Sequence, residues 1–191
     1  MPEVIRGRVR RIAVVVAVLA IAQLVAGLPA LAADTVMQEL SGGNRTASIS
    51  NATMSGMTYS HSAQSNDHNL NLTVDDSSGT GEGWNVTIQS SNFVYSGLYN
   101  GTDISAANFE ILTANAPQFI SGQVIDGANG PKAPASNSTG SLDVARKVLH
   151  AGAGYGQGSY SQSLGVQLTV PGMTRAGSYT SSLTVTIGSG P

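Results

Sequence analysis

The sequence predicts an all-β protein: an antiparallel β-sandwich, immunoglobulin-like or related, in a single domain behind an N-terminal export signal. Two observations carry the fold class. Short runs of alternating apolar and polar residues recur along the chain, and clusters of Gly, Pro and Asn separate them. The chain also has 23 glycines, no cysteine and only 10% charged residues, so turns are plentiful and nothing staples them. A cysteine-free exported domain must hold itself together by burial. The roughly 160 residues beyond the leader suffice, since a domain of that size hides roughly 70% of its unfolded surface.

The leader comes first. Arg6, Arg8, Arg10 and Arg11 form a basic start. An apolar run from Ile12 to Leu28 follows, broken by Gln23 and Gly27, and Pro29 ends it. Ala30-Leu31-Ala32 supplies a small-x-small cleavage pattern. A retained anchor is the competing reading, because the run is at the short edge of a membrane span. The placement of the A-x-A site favours removal of residues 1–32, with cleavage after Ala32 or at the adjacent Ala33. Val9 and Ile12 beside Arg10-Arg11 favour the general secretory route over a twin-arginine one. The mature protein is expected to have no membrane span.

Residues 33–191 read as one domain. Ala47 and Ile49 alternate weakly between Arg45 and Ser50. Leu70, Leu72 and Val74 alternate against Asn69, Asn71 and Thr73. The glycine-rich turn Gly79-Thr80-Gly81-Glu82-Gly83 leads into Trp84, Val86 and Ile88 against Asn85, Thr87 and Gln89. Ile104 to Leu112 holds Phe109 and Ile111, with a short helical turn at Ala106-Ala107. Gly127 to Gly140 is expected to be a mobile surface loop. Ser141 to His150 fits a short helix or a strand. We read it as a strand, with Gly152 to Gly156 as a hairpin loop. Leu164, Val166, Leu168 and Val170 alternate until Pro171, and Tyr179, Leu183, Val185 and Ile187 form the last strand.

Charge excludes some partners. Beyond position 32 there are ten acidic and five basic residues, a formal net charge of about −5. An acidic surface argues against nucleic acid and against anionic lipid. The cysteine-free, Ala- and Gly-rich chain behind an Arg-rich leader points to a bacterial exported protein.

No catalytic set emerges. His61, His68 and His150 have many serines for company, but no Gly-x-Ser-x-Gly elbow occurs. Asp67-His68-Asn69-Leu70-Asn71 begins like a calcium loop, yet its sixth and twelfth positions are Leu72 and Ser78, where glycine and a bidentate Glu belong. Gly79 to Gly83 is no phosphate loop, since no Lys follows and a strand does. No cofactor or metal is expected. Trp84, Tyr95, Tyr99, Tyr155, Tyr160 and Tyr179 would suit stacking on sugar rings. For Trp84 two roles stay open, core or binding face.

Two distant segments carry a resemblance: Asp75 through Trp84-Asn85-Val86 to Phe93, and Val170-Pro171-Gly172 through Ala176-Gly177-Ser178-Tyr179 to Val185-Thr186-Ile187. With Gly152 to Tyr160 between them, they resemble the WxL domain of bacterial cell-surface proteins. The resemblance implies an exported β-sandwich held non-covalently to the wall, with peptidoglycan or other cell-surface proteins as partners. It implies binding positions at Trp84, Asn85, Val86, Val185, Thr186 and Ile187. Here Val86 stands where the family has Leu, and Val185 stands where it has a second Trp.

The expected function is therefore a secreted, non-catalytic surface protein associated with peptidoglycan or surface partners. The alternatives are a structural subunit of a pilus or coat, whose open strand edges accept a neighbour, and a secreted glycan hydrolase. A hydrolase would draw its two carboxylates from Asp75, Glu82, Asp103 and Glu110.

Overall fold

Alternation builds two facing sheets. The computed structural model describes residues 37–191; the leader predicted over 1–32 lies outside the described residues. The strands are β1 (Arg45–Ile49), β2 (Gln64–Asp76), β3 (Trp84–Ser90), β4 (Val94–Ser96), β5 (Phe109–Ala114), β6 (Gln118–Gly122), β7 (Gly140–Ser141), β8 (Arg146–Ala151), β9 (Gly158–Val170), β10 (Ser178–Thr180) and β11 (Leu183–Ser189). A 3-10 turn at Ala106–Asn108 precedes β5, capped by the Ser105 hydroxyl, which accepts from the Ala107 amide. All the ladders are antiparallel. The larger sheet runs β1-β2-β9-β5-β7, with β6 also on β9; the smaller runs β11-β3-β8; β10 and β4 form a ribbon. The predicted all-β antiparallel sandwich is what the chain forms.

β2 and β9 are the spine, paired from Gln64 opposite Val170 to Asp75 opposite Ser159. Their inner rows bring Leu70, Leu72 and Val74 against Leu164, Gln162 and Tyr160. The smaller sheet answers with Trp84, Val86 and Ile88 from β3 and Val148, Leu149 and Ala151 from β8. Each such aliphatic side chain contributes about 1.5–3 kcal/mol when fully buried, which is how the domain dispenses with disulfides. Gln162 ties the layers: its amide donates to the Asn115 carbonyl at 2.9 Å and to the Val148 carbonyl at 3.1 Å.

The turn before β3 is held by charge. Asp76 is buried and accepts from Arg45 Nε at 3.1 Å and from the Ser78 amide and hydroxyl. Arg45 also reaches Thr80, Glu82 and Ser189. One guanidinium thus joins β1, the glycine-rich turn and the C-terminal strand.

Three expectations need correction. Tyr179 is not part of the last strand: it lies in β10, paired with Tyr95 of β4, and Ser181-Ser182 separates it from β11. Gly152 to Gly156 is not a hairpin loop, because β8 and β9 lie in different sheets; it crosses between layers and seats Trp84. Within Ser141 to His150 the strand is interrupted: Ser141 ends β7 and pairing resumes at Arg146 in β8, where a register shift at Val86/Thr87 lets Val148 and Leu149 both face inward. Alternation by itself would have sent one of them out. The 127–140 stretch is fastened at its start: Asp126 and Gly130 bridge, Lys132 pairs with His150, and Pro131 is buried.

Candidate functional site

The six family positions come together on neighbouring strands. β3 and β11 pair so that Ile187 lies opposite Val86, Thr186 opposite Thr87 and Val185 opposite Ile88. Their side chains, however, divide between two faces. Trp84 and Val86 are fully buried, and Val185 and Ile187 pack half-buried on the same core. Asn85 and Thr186 face away from it.

Trp84 therefore belongs to the core. Its indole N–H donates to the Gly156 carbonyl at 2.9 Å, and its ring packs against Tyr160 at 6.3 Å between centroids. Gly156 is required here: its φ is +78°, and a Cβ would come within 2.7 Å of Trp84 Nε1. Gly83 has φ +75° and sits against the Ala151 carbonyl, 2.5 Å from where a Cβ would be. Trp84 has no exposed surface in this fold.

The concave feature lies elsewhere. At one end of the sandwich the sheets part around a cleft of about 990 Å³, the upper part of the range for ligand sites. Leu70, Phe93, Phe109 and Leu168 form its floor, residues 49–60 with Ser62 form one wall, and residues 174–183 form the other. Asn66 anchors the first wall, donating to the Ser55 carbonyl at 2.6 Å. The second wall is closed by Tyr179, whose hydroxyl donates to the Arg175 carbonyl at 2.8 Å. Burial pushes the Tyr179 phenol up from its ordinary range, helped by Tyr95 and Asp103, so it stays a neutral donor.

β2 explains how the cleft acquires polar groups. Its inner row reads Gln64, Asn66, His68, Leu70, Leu72, Val74. The apolar half builds the core, and the polar half lines the cleft opposite Val170, Leu168 and Val166. The apolar alternation begins at Leu70, and the same parity continues backwards in polar residues that carry no hydrophobic signal. Val185 also lines the cleft. It is the one family position that does.

The cleft's lining contains no Asp or Glu; its ionisable groups are His68, Arg175 and the phenols of Tyr59 and Tyr179. The four carboxylates named for hydrolysis lie apart from it. Asp75 accepts from Ser159 and Ser77, which hold its carboxyl below the usual range. Glu82 pairs with Arg45, Asp103 accepts from the Tyr95 amide, and Glu110 stands on β5 opposite Ser141 and Gln167.

An all-β domain with an open cleft of hydroxyl, amide and apolar groups has the form of a binding module. A family model described as "WxL domain surface cell wall-binding" matches residues 35–191, and the chain belongs to the WxL domain family. Its fold is thus that of a cell-surface, wall-binding domain. No curated protein and no solved structure matches the chain. Among the described residues no helix is long and apolar enough to cross a membrane.

Proposed function

We propose that this chain is exported, loses residues 1–32, and acts through domain 33–191 as a non-catalytic module that holds peptidoglycan at the cell surface without a covalent bond. The cleft carries this reading. Its neutral hydroxyls and amides match the hydroxyls and acetamides of amino sugars, and Tyr59 and the methionines Met54 and Met57 offer surface to sugar C–H faces. Arg175 is the one cation in the lining, suited to a carboxylate of the peptide stem. A lining without carboxylates lacks the acid and base that glycoside hydrolysis uses, which supports binding without turnover.

Incubating the protein with purified sacculi and pelleting them tests the proposal. The protein is expected to pellet, and Arg175→Ala to bind about tenfold less tightly, as fits loss of one charged hydrogen bond. Thr58→Trp, which puts a ring at the cleft's wall, is expected to weaken binding further. A wild-type protein left in the supernatant would overturn the reading.

A further inference from the structure

The outer face of the smaller sheet has a composition unlike the rest of the chain. β3, β8 and β11 contain no Asp or Glu, whereas the larger sheet carries Asp67, Asp75, Asp76 and Glu110. Residues 37–191 hold five cations. Arg45 is committed to Asp76, and Arg175 lies in the cleft. The other three, Lys132, Arg146 and Lys147, are on β8 or bridged to it.

The β-bulge decides where they point. Because Val148 and Leu149 both turn inward, Lys147 and His150 emerge on the same outer side. Cross-strand pairing then lays out two rows. One runs Lys132, His150, Asn85, Gly188; the other runs Lys147, Thr87, Thr186. The only close ion pairs among the described residues are those of Arg45, so neither lysine is locked to a carboxylate in contact with it. Lys132 Nζ donates to the Ala128 carbonyl, and its charge helps the amides of Asn129 and Ala128 hold the Asp126 carboxyl below its usual range; Arg146 Nε donates to the Ser141 carbonyl. Burial, Lys147 and Lys132 together hold the His150 imidazole below its usual range, as crowding of like charge would.

We propose that this face docks a polyanionic wall polymer, its phosphodiesters meeting Lys132 and Lys147 and its hydroxyls meeting Asn85, Thr87 and Thr186. An acidic domain that gathers three of its five cations on and beside strands containing no carboxylate has a local charge complementary to a repeating anion. The three strands expose no large apolar side chain, so the face has nothing to insert into a lipid bilayer. This deepens the wall-binding reading and uses a different surface from the cleft.

The test measures the purified chain on three supports: immobilised poly(glycerol phosphate), phosphate-free peptidoglycan, and phosphatidylglycerol vesicles. Binding to the first is expected to fall steeply with salt. The double variant Lys132→Gln/Lys147→Gln should bind it about tenfold less and with a shallower salt dependence, with unchanged thermal unfolding and unchanged binding to peptidoglycan. Asp67→Asn/Glu110→Gln, which alters the other sheet, should not weaken it. No binding to the polymer, equal binding by the double variant, or equal binding to the vesicles would overturn the proposal. Loss of peptidoglycan binding alone would overturn the cleft reading and leave this one standing.

Discussion

At the scale of single residues, Trp84 and Gly156 show what the glycines are for. The indole is fully buried, and a Cβ at Gly156 would come within 2.7 Å of its Nε1. Trp84→Ala is expected to lower unfolding free energy by about 3–5 kcal/mol, measured by denaturant melts. Gly156→Ala should cost about 1–3 kcal/mol through overpacking and its positive φ. A binding role for the ring would instead leave stability unchanged and abolish sacculus binding. His150 sets a pH dependence. Its folded pKa lies below the ordinary 6.5, so the unfolded chain takes up a proton first. The stability held by neutral His150 is full above about pH 6.5 and is lost as pH falls from there towards the folded value. His150→Gln is expected to flatten that part of the stability profile, followed by thermal melting across pH.

At the scale of elements, the strands were legible where alternation met a clear turn. Trp84 to Ile88 stood out because glycines stop one run and a period of two begins the next. Which side of a strand faces a partner is a long-range fact, so core and binding face could not be separated for Trp84 from its neighbours alone. Tyr179 was joined to Leu183 because both are apolar; the serines between them, which bond to Ser90 and Ser91 rather than to the β11 ladder, mark the break. The bulge in β8 was hidden, since Val148-Leu149 breaks alternation without any Gly or Pro to signal it. The cleft was hidden for a different reason. Its walls, residues 49–60 with Ser62 and residues 174–183, meet only through the fold. β1 depends on one contact of this kind: Arg45→Ala leaves the buried Asp76 carboxylate without its cation and should destabilise the domain by about 3 kcal/mol. Asp76→Asn with Arg45→Ala should recover part of that loss in the same melts.

At the scale of the whole molecule, two surfaces and one core divide the work. The core takes Trp84, Val86 and the inner rows of β2 and β9. The cleft takes the polar half of β2, and the outer face of β8-β3-β11 takes the cations. Val185 joins two of these parts, packing on the core and lining the cleft. Val185→Trp, which places the family's aromatic there, is expected to narrow the cleft and weaken sacculus binding several-fold, with stability within about 1–3 kcal/mol of wild type. Amide hydrogen exchange, with and without soluble peptidoglycan fragments, tests the central claim most directly. The account predicts added protection in residues 50–62 and 174–183, with the amides around Trp84 already slow and unchanged. Protection confined to other segments, or none at saturating ligand, would contradict it.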